Sequence, residues 1–371
     1  MNMMTNVPGV LMLDLGTVLR GGQRQVLYLA HYLAEQGAFQ PLLACPRGSA
    51  LAAAAQKEGL PVLALPGRSF ADPRLWWTLG TRIAREPVIQ IVHTHDAHAA
   101  LVGACLKKVW PRVLLVHSRR VSYPARPGLR GWKYRVADAA VGVSREIAEQ
   151  LVAAGVARER VSAIHSGIDP STYAPHVLRT AQDPFRFLAI GALTPQKGFD
   201  VLVEAAGLLA KETTLPKWTL QIVGSGPLQT RLSEQARQLG LLDGTAPLLT
   251  MPGRLESRAV LPYSDAVLVP STAGEGSSAT IKEAWATGVP VIASDLVSNK
   301  ELVQGGFNGL LAETGSPVEL AACMRRCLTE PELLVQLVNA GHDTLPAFTH
   351  TRMAASYQEL YTKLISHAHS L

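Results

Sequence analysis

Short apolar runs alternate with longer amphipathic ones from the start of the chain. GVLMLDLG (9–16) precedes QVLYLAHYLAEQG (25–37), whose apolar positions recur at helical spacing. The runs FQPLLAC, LPVLAL, IQIVHTH, RVLLVHS, AAVGVS and RVSAIHSGID follow, each separated from the next by a helical stretch. Continuous apolar runs of this length between helices predict parallel strands covered on both faces, and so a doubly wound α/β domain.

Near 170–184 the pattern breaks into STYAPHVLRTAQDP, rich in proline and without a period, which reads as a linker. Alternation then restarts with FRFLAIGAL, FDVLVEAAGLLAKE, WTLQIVGSG, PLQTRLSEQARQLG, LLTMPG, AVLVPS, VPVIAS and GLLAET. A second domain of the same class is expected. The predicted division is 1–172 and 173–351, with a helix over about 352–371 returning to pack on the first domain. Two such domains in tandem are expected to leave a ligand cleft between them, because open parallel sheets bind ligands at the carboxyl ends of their strands.

Composition agrees with two cores. At 371 residues and 47% hydrophobic content, the chain exceeds the size at which one core stops growing. The four cysteines are scattered, and no charged-then-apolar segment with a cleavage site opens the chain, so a reducing, cytoplasmic setting is expected. Cys323 and Cys327 sit four apart in a predicted helix. They are either two thiols on one face for metal or redox chemistry or small buried hydrophobes, and the second reading is favoured. No apolar run reaches the roughly 18 residues of a membrane span. Charge is divided unequally: residues 1–170 hold 20 Lys and Arg against 11 Asp and Glu, the remainder 15 against 18. The partner of the first half should therefore be anionic.

Several short segments carry candidate chemistry. Gly21-Gly22 lies between the first strand and a helix expected to begin near Gln25, where backbone can approach an anionic ligand. Gly224-Ser225-Gly226 after TLQIV invites a dinucleotide-binding reading, but the third glycine is missing and no acid follows for a ribose, so NAD is disfavoured. In GALTPQKGFD (191–200) Lys197-Gly198 precedes a helix, a place suited to neutralising a diphosphate. EGSSATIKEA (275–284) holds two acids eight positions apart. On one helix they would lie about 80° around and about 12 Å along the axis. Glu275 is therefore expected in the loop after AVLVPS, and Glu283 two turns inside a helix capped by Ser277 or Ser278. Free amides suited to phosphate lie between them, with carboxylates for vicinal hydroxyls at either end.

In order along the chain, RGGQRQVLYLA, VGVSREIAEQL, HSGID (165–169), GALTPQKGFDVLVEA, LQIVGSGPL and VLVPSTAGEGSSATIKEAWATGVPVIASDLVSNKELVQGGFNGLL (267–311) resemble the retaining glycosyltransferases of family 4. The resemblance covers nearly the whole chain. It implies the GT-B fold, two Rossmann-like parallel-sheet domains facing each other across a cleft. By the same resemblance Glu283 contacts the nucleotide ribose, Glu275 the hydroxyls of the transferred sugar, and Lys197 the diphosphate. Gly253-Arg254-Leu255 matches the loop near the base. Gly21, Gly22, Gly224, Gly276, Ser277 and Ser278 complete the expected nucleotide-sugar contacts. His95, in IVHTHDAHAA, matches the histidine that points into the active centre, with Asp96 directly after it. His117 ends the next strand, where a contact to donor or acceptor and an ordinary core position both remain open.

The chain departs from the family pattern at two places. Ala192 stands where an arginine of the diphosphate clamp is common, which leaves Arg24 or Lys282 to compensate. Gly276-Ser277-Ser278 replaces a glycine–aromatic–glycine. The resemblance implies transfer of a hexose-type sugar from a nucleotide-diphosphate donor with retention at the anomeric carbon and no metal or other cofactor. The leaving phosphate would take the acceptor proton.

The segment HSRRVSYPARPGLRGWKYR (117–135) holds Arg119, Arg120, Arg126, Arg130, Lys133 and Arg135 without one acid, among Tyr123, Trp132 and Tyr134. DPRLWWTLGTRIAR (72–85) adds Trp76 and Trp77 among arginines. Aromatics with basic residues suit the headgroup layer of an anionic membrane. The expected acceptor is a glycan or lipid-linked glycan of lipopolysaccharide type, made at the cytoplasmic face by a peripherally held enzyme. A solvated basic face is the plainer reading, and no nucleic-acid motif accompanies the charge. The rival functions are a sugar-nucleotide epimerase of related architecture and a non-catalytic glycan or nucleotide-sugar binding protein.

Overall fold

The computed structural model describes residues 7–123, 131–178, 180 and 183–370. The chain divides into two units. The first runs to Gly167 and reclaims the chain from His350; the second is Ile168–Thr349.

In the first unit the strands are β1 (Gly9–Leu13), β2 (Gln40–Pro46), β3 (Val62–Leu65), β4 (Ile89–Thr94), β5 (Leu114–Arg119), β6 (Ala139–Gly142) and β7 (Val161–Ala163). They form one parallel sheet in the order β3-β2-β1-β4-β5-β6-β7. Helices α1 (Gly21–Gln36), α2 (Ala50–Lys57), α3 (Pro73–Arg85), α4 (Ala97–Val109), α5 (Trp132–Arg135) and α6 (Arg145–Ala153) connect them. The alternation in β1 shows why the strand is apolar at every position. Val10 and Met12 pack with Val26, Leu29 and Leu33 of α1, whereas Leu11 and Leu13 pack with Leu75, Leu79 and Ile83 of α3. Helix α1 begins at Gly21, not near Gln25, so the glycine pair is the first turn of the helix and not a turn before it.

The second unit holds β8 (Phe185–Ile190), α7 (Phe199–Leu209), β9 (Trp218–Val223), α8 (Gln229–Gln238), β10 (Leu249–Gly253), α9 (Ser257–Val260), β11 (Ala266–Val269), α10 (Ala279–Thr287), β12 (Val291–Ser294), α11 (Val297–Lys300), β13 (Leu310–Ala312), α12 (Pro317–Thr329) and α13 (Pro331–Thr344). Its parallel sheet runs β10-β9-β8-β11-β12-β13. The final helix, α14 (His350–Ala368), packs Met353, Ala354, Tyr357 and Tyr361 into the core of the first unit.

The segment read as a linker does not hang free. Tyr173 packs against the second unit's core, the His176 amide donates to the Thr287 carbonyl at 2.8 Å, and the Val177 amide to that of Pro262 at 2.6 Å. Cys323 and Cys327 are buried in the face of α12, and desolvation pushes their thiols up to about 11 and about 12. They pack as small hydrophobes.

Each sheet reverses its strand order once, between β1 and β4 in the first unit and between β8 and β11 in the second. At such a point the two loops leave in opposite directions and open a crevice. Asp14 and His95 follow the two strands at the first of these points, and Lys197 and Glu275 follow the two at the second.

Candidate functional site

In the second unit, the β8 loop ends in a 3-10 turn at Pro195–Lys197, and the β11 loop passes through Ser271 to Glu275. Gly198 makes their approach possible. Its φ is 63°, and a Cβ there would fall 2.0 Å from the Pro270 carbonyl oxygen. With the loops in contact, Lys197 Nζ donates to Glu275 Oε1 at 2.5 Å, and Ser271 Oγ donates to the same oxygen at 2.5 Å. Glu275 is only 8% exposed. Gly224 supports this arrangement from behind: a Cβ would meet the Gly191 carbonyl at 1.8 Å, and its amide donates to the Gly253 carbonyl at 2.8 Å. Ala192, Arg254 and Leu255 are exposed on the neighbouring loops.

Ser278 occupies the cap position of α10 without a side-chain capping bond, so neither it nor Ser277 acts as the expected cap. The first-turn amides of α10 are left for another acceptor. Glu283 is the fifth residue of α10, one turn inside it and not two. Tyr173 donates to Glu283 Oε1 at 2.8 Å. Burial, reinforced by the Glu283 charge, raises the Tyr173 phenol well above its ordinary value. Lys282 is fully buried and donates to Ser277 Oγ at 2.8 Å. Desolvation lowers its ammonium to about 7 against the attraction of Glu283 and Glu275. This stretch thus contains a carboxylate bound to lysine, a carboxylate bound to tyrosine, and the open amides of α10 in the chain between them. Such a set can hold hydroxyls at two places and anionic oxygens between.

In the first unit Asp14 follows β1 with no exposure, its carboxylate accepting the Gly16 amide at 2.8 Å and Gln23 Nε2 at 3.1 Å. Burial and the nearby Asp96 raise its pKa. His95 follows β4, 4% exposed, its ring centroid 3.9 Å from that of His93. Burial first, then His93 and Arg120, lower its pKa well below the ordinary imidazole value. Gly21 and Gly22 open α1, and a Cβ on Gly22 would lie 3.4 Å from Arg120 Cδ.

Four of the residues assigned to an acceptor or membrane side, His117 among them, are buried or packed inward. Arg119, 5% exposed, donates to Tyr134 Oη at 3.0 Å and to the Tyr123 carbonyl. Arg120 turns in toward His95, with Nη2 at 3.5 Å from Nδ1. Trp132 packs against the core beside α3 and α4. A basic, aromatic-rich stretch looks like surface in sequence, but here β5 and α5 turn these side chains inward. His117 is a core histidine: its ring nitrogens meet Thr94 Oγ1 and, at 2.7 Å, the Lys133 carbonyl, and burial lowers it to about 4. Arg126 and Arg130 lie outside the described residues. Ser271, Tyr173 and Asp14 were not identified from sequence. Asp14 alone left a signal, as an acid inside an apolar strand run.

Comparison with known proteins places the family and the fold. A family model described as Glycosyltransferase Family 4 matches residues 19–172, and one described as Glycosyl transferases group 1 matches 174–344. The amylovoran biosynthesis glycosyltransferase AmsK of Erwinia amylovora is 29% identical over 189 residues, 50% of this chain and 46% of the relative. An Escherichia coli UDP-Gal:alpha-D-GlcNAc-diphosphoundecaprenol alpha-1,3-galactosyltransferase is 26% identical over 215 residues, 56% of this chain and 55% of the relative. The chain thus spans about half the length of these curated relatives. The crystal structure of Anabaena Alr3699/HepE in complex with UDP superposes with a TM-score of 0.80 at 19% identity, covering 96% of this chain and 100% of that one.

Proposed function

We propose that this chain, which belongs to the family 4 glycosyltransferases, moves a hexose-type sugar from a nucleotide-diphosphate donor to a glycan or lipid-linked acceptor with retention at the anomeric carbon. The observation that carries the reading is the meeting of Lys197 and Glu275 at the switch point of the second sheet, followed in the chain by the open amides of α10 and by Glu283. A diphosphate needs cationic and amide donors, and the sugars at its two ends need acceptors for vicinal hydroxyls. The UDP in the HepE complex supports a nucleotide as ligand. In the reaction the bond from anomeric carbon to phosphate oxygen breaks with its electron pair on the phosphate. The acceptor oxygen bonds to that carbon from the same face, and its proton passes to the departing phosphate. Lys197 and the α10 amides would stabilise the charge that develops there, in the role a metal plays elsewhere.

The polysaccharide and lipid-diphosphate names of the relatives favour an acceptor in cell-envelope glycan synthesis. No helix among the described residues is long and apolar enough to cross a membrane. The surface best suited to an anionic membrane is on and before α3, where Trp77 is 76% and Phe70 45% exposed beside exposed Arg68, Arg74 and Arg85. We therefore read the enzyme as peripherally held at the cytoplasmic leaflet. The function is tested by incubating the protein with UDP-, GDP- and ADP-hexoses and a short lipid-diphosphate saccharide, then reading the new anomeric configuration by NMR. Retained configuration in a lengthened acceptor is expected. An inverted linkage, or an epimerised sugar released without acceptor, contradicts the proposal.

A further inference from the structure

We infer that Arg120 is a positioning residue that holds His95 as the neutral, Nε2-protonated tautomer, so that His95 meets a ligand oxygen as a hydrogen-bond donor and not as a proton acceptor. The ligand in this sentence rests on the transferase reading; the tautomer does not.

A guanidinium has only donors. Arg120 Nη2 faces His95 Nδ1 at 3.5 Å, the outer limit of a hydrogen bond, and an imidazole nitrogen turned to that donor presents its lone pair. A neutral imidazole carries one proton, which is then on Nε2. His95 Nε2 is buried and has no partner among the described residues. The alternative, a doubly protonated ring, would set two cations together out of water.

The surroundings offer that cation no compensation. From β4, His93 lies against the ring at a tilt of 46°, and both of its nitrogens are engaged: Nδ1 with Tyr361 Oη at 2.5 Å and Nε2 with Ser118 Oγ at 2.7 Å. From α14, Tyr357 reaches Ser118 Oγ at 2.6 Å, and burial keeps both tyrosines protonated. From the β1 loop, the Asp14 carboxylate is taken by Gly16 and Gln23. At the start of α4, Asp96 is taken by the amides of Leu15, His98 and Ala99. Neither acid hydrogen-bonds the imidazole. The backbone fixes the ring's origin as well, since the His95 amide donates to the Leu13 carbonyl at 3.0 Å. The resulting Nε2–H suits a sugar hydroxyl or ring oxygen and cannot remove a proton at that atom.

The test uses the full chain labelled with 15N-histidine, without ligand, and long-range proton–nitrogen correlation spectra. The His95 signals are assigned by their loss in His95→Gln. The wild type is expected to show Nδ1 unprotonated and Nε2 protonated throughout about pH 5 to 8. Arg120→Met is expected to give mixed tautomers and a ring that becomes protonated at higher pH than in the wild type. Arg120→Lys, which restores donor and charge, is expected to return the wild-type pattern. A wild-type ring protonated on Nδ1, a ring that charges near neutrality, or an Arg120→Met spectrum identical to the wild type overturns the inference. If Arg120→Met does not fold, the wild-type and Arg120→Lys spectra decide. UDP binding measured on the same samples separates the two questions: a locked tautomer without nucleotide binding refutes the transferase reading alone.

Discussion

Lys197 and Glu275, 78 positions apart in the chain, meet through a 2.5 Å hydrogen bond over the switch point of the second sheet. The family resemblance assigns them to different parts of one ligand, the diphosphate and the sugar. In the structure each is the other's partner, and Ser271 donates to the same carboxylate oxygen. A ligand would find both groups already oriented, which lowers the reorganisation that binding requires.

Removing the lysine should therefore have two separable effects. Lys197→Met leaves a buried carboxylate with one hydroxyl donor, and it should lower stability by on the order of 1–3 kcal/mol in urea unfolding. Turnover should fall by about 10²–10³, as for loss of one preorganised donor to developing charge. A variant stable but fully active would remove Lys197 from the chemistry.

Lys282 gives a pH signature. Its folded pKa, about 7, lies below the unfolded 10.5, so between these values the unfolded chain binds more protons and stability rises with pH. The penalty of burying the ammonium is fully present below about pH 7 and is relieved as pH climbs toward 10.5. Lys282→Met should be more stable than the wild type in acid, with the gap narrowing through this window in denaturant titrations. A gap independent of pH would mean that the amine stays charged in its buried position.

Much of the fold is legible in the sequence, and where it is not the cause is physical. Strands such as Gly9–Leu13 declare themselves because a sheet covered on both faces leaves no polar position until the site begins. The pairing of Lys197 with Glu275 depends on strand order, which no local pattern contains. Helix α1 begins at Gly21 and not near Gln25, its start closed by Gln23 Oε1 accepting the Arg20 amide at 3.1 Å, a contact that a glycine pair does not announce. Arg119 was read as surface because a run of arginine and tyrosine says nothing about which way it faces; the buried guanidinium is held by Tyr134 and Tyr123. Tyr173 sits among prolines, and only the fold reveals that it holds Glu283.

Charge in the proposed site comes from lysine and backbone amides, so transfer should persist unchanged in excess EDTA. Loss on chelation, restored by one divalent ion, would require a metal that the present account omits.

The proposed membrane attachment, at α3, can be separated from chemistry. Trp77→Ala with Arg74→Ala should weaken binding to anionic vesicles by more than about fivefold, each arginine contributing roughly 1 kcal/mol, while a soluble acceptor is glycosylated as before. Equal binding of wild type and variant in cosedimentation would move the contact elsewhere.

The central claim is that the stretch from Glu275 to Glu283 holds a nucleotide-diphosphate sugar. Calorimetric titration of the UDP-, GDP- or ADP-sugar that binds, into wild type, Glu283→Gln and Glu275→Gln, tests it most directly. Glu283→Gln should weaken binding of both the nucleotide and its sugar about 10–100-fold, a cost of about 1.4–2.8 kcal/mol for losing a charged acceptor. Glu275→Gln should weaken the nucleotide-sugar but leave the bare nucleotide diphosphate nearly as tight. Unchanged affinities in both variants, with the wild type binding well, would contradict it.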